Sequence, residues 1–174
     1  DVPVGSYAFK VTDDGESRIV QANMQVEVKV LRVPIYRATH ERREIWENGR
    51  LVSFTGQSRY NGTPYEMTLT RDGKVASLEV NGVRQEIDSD GFTFVPWVIE
   101  GLDSAVLITE KGRVVKISQI DLGDESLIVN GKETRLRHYL YRGVWERHDW
   151  YDDEGSLVLM TYEKDGAKIR LSRD

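Results

Sequence analysis

The sequence contains no cysteine, so disulfide bonds and thiolate metal ligands are excluded and stability must come from packing and strand pairing. It also lacks any apolar run approaching the roughly 20 residues that span a bilayer as a helix. Basic residues are the minority, 24 against 29 acidic ones, for a net charge of -5 spread along the chain. This balance argues against nucleic acid and against an anionic membrane as an obvious partner.

What the sequence does contain is a regular series of turn dipeptides between short alternating runs. The strongest are Asn48-Gly49, Asn61-Gly62, Asn81-Gly82, Asn130-Gly131, Asp14-Gly15, Asp72-Gly73, Asp90-Gly91 and Asp165-Gly166. Strands separated by such signals are typical of meanders, sandwiches and barrels. The sequence therefore predicts a single all-β domain over residues 1–174, a strongly curved antiparallel meander forming a half-barrel or an open barrel.

The longest predicted strand covers residues 18–31 and alternates with almost no break. Val20, Ala22, Met24, Val26, Val28 and Val30 share one parity, and polar residues occupy the other. A period of two predicts one face on the core and one in water. The length suits a strongly curved sheet.

A central hairpin is predicted over residues 36–54, closing at Asn48-Gly49 in a type I′ turn. A tight turn places Glu47 opposite Arg50, Trp46 opposite Leu51 and Ile45 opposite Val52. Tyr36, His40, Arg42, Glu44 and Trp46 share one parity and so one face. That face is either a functional site or a solvated surface, and the sequence leaves its direction open.

The strand pattern fails at residues 92–107, the most apolar segment of the chain, which contains Pro96 and Trp97. Pro96 suits a first helical position, so a short helical or loop segment is predicted there. The segment would act either as a lid over one face of the sheet or as a core-filling crossover.

The histidines raise the question of a metal site. A three-residue loop near Arg142-Gly143 places His138 opposite His148, and Arg137 opposite Asp149. Two imidazoles could bind zinc with Glu146 or Glu44 as a third ligand. Since no histidine-rich spacing supports this, no metal and no cofactor are predicted.

Catalytic signals are equally sparse. The sequence has no Gly-Xaa-Ser-Xaa-Gly elbow and no glycine-rich phosphate loop that opens a helix. An acidic pair such as Glu44 with Asp149 or Asp121 is expected by chance among 29 acidic residues. The chain is therefore predicted to be a non-enzyme more readily than an enzyme.

Aromatic residues gather on the strands that carry Arg42, Arg137 and Arg147. They are Tyr36, Trp46, Tyr60, Tyr65, Tyr139, Tyr141, Trp145, Trp150 and Tyr151. Such surfaces either grip a ligand with a polar head or stiffen a sheet by cross-strand pairing. The candidate ligand-binding residues are Met24, Val26, Val28, Tyr36, His40, Arg42, Glu44, Trp46, Trp97, His138, His148 and Trp150.

Residues 33–65, 129–143 and 150–171 carry the motifs Tyr-Arg…Glu-Xaa-Trp-Xaa-Asn-Gly and Trp-Tyr-Asp-Xaa-Xaa-Gly. In these the chain resembles a group of uncharacterised bacterial proteins of unknown function, usually made with a signal peptide. They look like relatives of the periplasmic half-barrels that include the lipoprotein-localisation factors. The resemblance implies a single curved sheet, concave and apolar on one side, and implies no activity.

Three hypotheses about function follow. The first is an exported, non-enzymatic module, the mature form left after signal-peptide removal, that holds a lipid or other amphipathic ligand in the concave face. The second is a barrel-type enzyme using His40, Arg42, Glu44, His138 or Asp149 as acid–base and orienting groups. The third is a structural partner in an envelope complex, which would expose an apolar patch.

Overall fold

The computed structural model describes residues 3–87, 91–93, 105–164 and 166–173, and every described element is a strand. The first seven strands are β1 (Gly5–Asp13), β2 (Ser17–Val30), β3 (Val33–Glu47), β4 (Arg50–Tyr60), β5 (Thr63–Asp72), β6 (Val75–Val80) and β7 (Val83–Ile87). The remaining seven are β8 (Gly91–Thr93), β9 (Ala105–Ile108), β10 (Val114–Val129), β11 (Lys132–Arg142), β12 (Glu146–Tyr151), β13 (Leu157–Lys164) and β14 (Ala167–Ser172). Within these ranges no helix is long and apolar enough to cross a membrane.

The strands form two seven-stranded antiparallel sheets, ordered β1 to β7 and β14 to β8. One sheet curls strongly into a half-barrel, so the predicted all-β, antiparallel, half-barrel class is confirmed. The strands are divided between two sheets where one meander was predicted. The chain correspondingly splits into two compact units, Asp1–Gly91 with Ile108–Arg113, and Phe92–Leu107 with Val114–Asp174.

The apolar segment at 92–107 begins and ends in the first two strands of the second sheet. Its two ends belong to strands, β8 and β9, and the second sheet begins with them. The predicted helical turns at Pro96 and Trp97 fall outside the described residues.

The tight turns follow the predicted chemistry. Asn48, Asn61, Asn81 and Asn130 all have φ between 48° and 51°, and the glycine after each is also at positive φ. This is the type I′ conformation, which asparagine and glycine tolerate best. The turn between β2 and β3 also has two positive-φ residues, but they are Leu31 (51°) and Arg32 (69°).

The core of the first unit forms on one face of β2 to β6. Val20 and Ala22 of β2 are buried, whereas Met24, Val26 and Val28 are half-buried. The alternation predicted for β2 therefore holds, with burial fading towards the β2–β3 turn. From β3, the residues Ala38, His40, Arg42, Glu44 and Trp46 are buried on the same face. The polar face of the central hairpin thus points inward.

The register of the central hairpin is correct near its turn and wrong beyond it. Glu47 lies opposite Arg50 and Trp46 opposite Leu51, as predicted. Ile45 lies opposite Ser53 where Val52 was predicted, because the register shifts between Ile45 and Trp46. A bulge adds one residue to one strand, and turn chemistry alone does not reveal it.

The core of the second unit packs aromatic against aliphatic side chains. One cluster consists of Val129, Leu136, Trp150, Val158 and Leu159. Tyr151, Leu157 and Met160 form a second one, with Tyr139, Tyr162 and Leu171 packed against it. The two clusters draw on β10 to β14, so they hold consecutive strands of this sheet together.

Candidate functional site

A concavity of about 760 Å³ lies on the first sheet, on the face opposite its core. Cross-strand pairing arranges most of its lining in two neighbouring rows. The first row is Lys10, Gln21, Arg43, Thr55 and Thr68, and the second is Ala8, Asn23, Glu41, Gln57 and Glu66. Phe9, Arg42, Gly56 and Met67, which alternate with the row residues along their strands, also border it. We call this the polar concavity.

The charges of the polar concavity are sorted by row. Lys10 and Arg43 belong to the first row, and Glu41 and Glu66 belong to the second. Because the rows are two residues apart along each strand, a cationic band runs about 7 Å from an anionic band. All four side chains are exposed, and among the described residues none forms an ion pair or a side-chain hydrogen bond. They are therefore available to a ligand.

Sequence reasoning missed this surface. The alternation in β2 was interpreted as core on one parity and water on the other, so Gln21 and Asn23 were assigned to solvent. The signal that could have found the surface is register, since the Asn-Gly turns fix which polar residues of β3, β4 and β5 lie side by side. The polar concavity lies on the face opposite the core, so the concave, apolar face that the resemblance implied stays a prediction.

The inward face of the central hairpin contains a buried ion pair. Arg42 Nε lies 2.9 Å from Glu44 Oε1, and both side chains are almost fully buried. Trp46 donates a hydrogen bond from Nε1 to Glu44 Oε2 at 2.8 Å. Arg42 also donates from Nη2 to the Tyr7 hydroxyl at 2.6 Å. The predicted Arg42, Glu44 and Trp46 are thus brought together, as a tightly paired internal group.

His40 is buried beside this group. Among the described residues, neither ring nitrogen has a hydrogen-bond partner. Burial, assisted by the positive charge of Arg42, lowers the pKa of His40 to about 3. The imidazole is therefore neutral at physiological pH and is poorly suited to exchange protons as a general acid.

A similar arrangement recurs in the second unit. Arg147 Nη2 lies 2.8 Å from Asp149 Oδ2, both buried, and the Tyr151 hydroxyl donates to the same oxygen at 3.1 Å. The Arg147 guanidinium lies over the Tyr141 ring, 4.5 Å from its centroid. Burial raises the pKa of Asp149 against the opposing effect of Arg147. Burial also raises the pKa of Tyr141 to about 12.

The predicted register of the two histidines is wrong, although their proximity is real. The three-residue turn lies between Arg142 and Glu146, one residue later than predicted, so His138 pairs with Trp150 and His148 with Leu140. Asp149 lies opposite Tyr139, where Arg137 was predicted. The histidines still meet diagonally, with His138 Nε2 2.8 Å from His148 Nδ1.

A carboxylate completes this cluster. His138 Nδ1 lies 3.1 Å from Glu125 Oε2, and Trp150 donates from Nε1 to the same oxygen at 2.8 Å. The rings of His138 and Trp150 stack at 4.3 Å. Burial lowers the pKa of His138, with Glu125 raising it and His148 lowering it further. The cluster is a hydrogen-bonded chain from Glu125 to His148.

The side chains considered as further metal ligands or acidic partners are engaged elsewhere. Glu146 pairs with Arg142 at 2.9 Å, and Glu44 pairs with Arg42. Asp121 pairs with Arg137. In the described ranges no group of three or more histidine, aspartate and glutamate side chains could hold a metal ion.

The other predicted ligand-binding residues line the inward face or lie elsewhere. Met24, Val26, Val28 and Tyr36 are half-buried on β2 and β3, and Tyr36 lies 6.5 Å from Tyr60 between ring centroids. Trp97 is outside the described residues. The binding roles of all these residues stay predictions.

A family model described as "Domain of unknown function (DUF6134)" matches residues 1–174. No curated protein matches the chain. A crystal structure of a β-barrel-like protein of the domain of unknown function DUF1849 from Brucella abortus is similar in fold, with a TM-score of 0.66 at 9% identity, covering 95% of this chain and 84% of that one. A DUF1089 family protein from Pseudomonas aeruginosa has a TM-score of 0.49 at 10% identity, covering 88% of each chain.

Proposed function

The chain belongs to the family of domains of unknown function DUF6134, and from its geometry we propose that it is an exported, non-enzymatic binding module. It holds an amphipathic ligand by a polar head seated in the polar concavity. A lipid with a zwitterionic head is the class of ligand that this surface suits best.

The observation that carries the proposal is the pair of charged rows. Lys10 and Arg43 offer cations to a phosphate, while Glu41 and Glu66 offer anions to an ammonium group about 7 Å away. Each exposed charge contributes at most about 1 kcal/mol, because water and salt screen it. The amide and hydroxyl side chains of the two rows, among them Asn23 and Thr68, offer further hydrogen bonds that involve no charge. Together the charged and uncharged contacts favour a modest affinity and a clear preference for a ligand that carries both a positive and a negative charge.

The edge strand β1 supports the amphipathic character of the ligand. Lys10 and Ala8 belong to the two rows, whereas Phe9 and Val11 alternate with them along β1 and remain about 40% exposed. A ligand crossing this edge can set its head against Lys10 and its apolar part on Phe9 and Val11. Burial of that apolar surface contributes about 25 cal/mol for each Å² removed from water.

The geometry favours binding over catalysis. The groups proposed for acid–base chemistry on the central hairpin, His40, Arg42 and Glu44, are buried and face the core. Arg42 and Glu44 neutralise each other, and His40 is held neutral. The charged groups that solvent and a ligand can reach lie on the opposite face.

The test is direct binding of dihexanoylphosphatidylethanolamine, a short-chain zwitterionic phospholipid, measured by calorimetry. Arg43→Glu should weaken binding about tenfold or more, because it replaces the central cation of its row with a repelling charge. Lys132→Glu is the matched control, since Lys132 is exposed and lies outside the polar concavity. Its affinity should stay within twofold of the parent.

Native mass spectrometry of protein purified from a bacterial host extends the test. A co-purifying amphipathic molecule near one per chain, reduced in Arg43→Glu and kept in Lys132→Glu, supports the proposal. Equal affinity in the parent and Arg43→Glu would reject the polar concavity as the binding surface.

The exported location is supported by the resemblance to exported half-barrels. Fractionation of the natural full-length gene product in its own host tests it. Recovery in the cytoplasmic fraction alone would reject export without affecting the binding test.

A further inference from the structure

The turn that joins β2 to β3 has an unfavourable sequence for its conformation. Leu31 and Arg32 both have positive φ, at 51° and 69°. In this region the Cβ atom crowds the backbone, so residues with large side chains seldom occupy it. Two such residues in succession make this turn energetically costly.

The same chain builds the same kind of turn four more times with Asn-Gly. Those turns, at 48–49, 61–62, 81–82 and 130–131, use the two residues that tolerate positive φ best. This fold therefore forms the same kind of turn elsewhere from an unstrained sequence. Backbone strain that is retained where an Asn-Gly sequence would relieve it indicates a function for the side chains of Leu31 and Arg32.

Those side chains are displayed to solvent with their neighbours. Leu31 is 93% exposed, and Val30, Val33 and Ile35 are between 52% and 61% exposed. Pro34 is exposed as well. Apart from Arg32, the residues from Val30 to Ile35 are all exposed and apolar, and they form the end of a long hairpin that we call the β2–β3 tip. A concentration of exposed large apolar side chains of this kind marks an interaction site.

The charge around the β2–β3 tip is opposite to that of the whole chain. Between Glu27 and Glu41 the sequence has three basic residues, Lys29, Arg32 and Arg37, and no acidic one. Lys29 and Arg37 both pair with Glu27, at 2.5 and 2.6 Å. Arg32, at the point of the turn, has no ion-pair partner among the described residues.

We infer that the β2–β3 tip inserts into the headgroup–acyl boundary of a bilayer that contains anionic phospholipids. Apolar side chains flanked by cations are the composition that lies at this boundary. Insertion by about 5–10 Å takes in two or three residues on each side of the hairpin end, which corresponds to Val30 and Leu31 on one side and Arg32 and Val33 on the other. Arg32 and Lys29 then reach the anionic headgroups.

This inference does not depend on what the polar concavity binds. The β2–β3 tip and the polar concavity share no residue. Variants at the tip should therefore leave the affinity for the short-chain phospholipid unchanged.

The experiment measures co-sedimentation with vesicles of phosphatidylcholine and phosphatidylglycerol at a 3:1 ratio. The key variant replaces the turn with the sequence used elsewhere, Leu31→Asn with Arg32→Gly. It should lose at least tenfold in vesicle affinity and, because the strain is relieved, melt at a higher temperature than the parent. Loss of binding with a gain in stability cannot come from misfolding.

Val83→Asn is the matched control, since Val83 is 72% exposed beside the Asn81-Gly82 turn. It should retain parental vesicle affinity. A third variant, Arg32→Glu, should weaken binding to the mixed vesicles severalfold and leave binding to pure phosphatidylcholine almost unchanged.

Two results would overturn the inference. One is a parent protein that stays in the supernatant with the mixed vesicles, which would favour a protein partner for the tip and so the structural envelope hypothesis. The other is equal sedimentation of the parent and the turn variant.

Discussion

His40 makes a specific contribution to the pH dependence of stability. The pKa of its imidazole falls from an ordinary 6.5 to about 3 on folding. The folded state therefore favours neutral His40, so this stabilisation is full above pH 6.5 and is lost progressively as pH falls towards 3. Between pH 7 and pH 5 the free energy of unfolding should drop by about 2 kcal/mol.

Urea unfolding at both pH values measures this drop. His40→Met should reduce it to well under half. Between pH 7 and pH 5 the stability contributions of Asp13, Asp14, Asp121 and Asp124 stay constant. Their pKa values are lowered, so these contributions change only at or below pH 4. An unchanged drop in His40→Met would assign the pH dependence to other groups.

At this scale the sequence predicted the shared parity of His40, Arg42 and Glu44 and could not predict their direction. Polar residues normally face water, and alternation alone gives two faces without naming the inner one. Arg42 and Glu44 can be buried because each neutralises the other, and Tyr7 and Trp46 each add a hydrogen bond to the pair. That outcome depends on Tyr7 and Trp46, which come from different positions along the chain.

Among the elements, the turn at Thr109–Gly112 is held closely against the first sheet. Lys111 Nζ lies 4.7 Å from the centroid of the Tyr60 ring, and Ser58 donates a hydrogen bond to the Glu110 carbonyl. Gly112 has φ of 72°, and a Cβ there would lie 2.5 Å from Val80 Cγ2. The turn therefore requires glycine for both its conformation and its packing.

Gly112→Ala should destabilise the protein more than Gly155→Ala, which serves as its control. Gly155 has nearly the same φ, 74°, but open space around its Cβ position. Positive φ alone costs an alanine about 1–2 kcal/mol, and the clash with Val80 should add about 1–3 kcal/mol. Chemical denaturation of both variants measures the difference, and equal losses would show that Val80 moves aside freely.

The elements themselves were the best predicted feature. Asn-Gly and Asp-Gly turns specify hairpins locally, so most strands and the register beside each Asn-Gly turn follow from neighbouring residues. Register failed where an extra residue enters a strand, at Ile45, and where the turn lacked a strong signal, near Arg142-Gly143. There side-chain packing decides the pairing, and local chemistry does not report it.

Across the whole molecule, each unit carries one buried Arg–carboxylate–aromatic group with the same spacing. Arg42, Glu44 and Trp46 occupy alternate positions of β3, as Arg147, Asp149 and Tyr151 do on β12. Removing one partner of such a pair leaves an uncompensated buried charge.

The division into two sheets was not predictable, because one meander and two meanders produce the same series of strands and turns.

Glu44→Gln and Asp149→Asn should each lower the free energy of unfolding by about 3–5 kcal/mol. The paired replacement Arg42→Met with Glu44→Leu should cost much less than Glu44→Gln alone, because no charge is stranded. Asp13→Asn, in the exposed pair with Arg18, is the control and should shift the denaturation midpoint little. A small effect of both single changes would contradict the buried-charge argument.

The strictly sequential strand order has a consequence for how the chain is made. In each sheet every strand after the first hydrogen-bonds to a strand adjacent to it in sequence. A hairpin closes in about 1–10 μs, whereas a ribosome adds about 5–20 residues each second. Each newly synthesised strand can therefore pair at once with the preceding strand, which lies at the edge of the sheet. The nascent chain can be completed one strand at a time, in the order of translation, with little unpaired backbone left to aggregate.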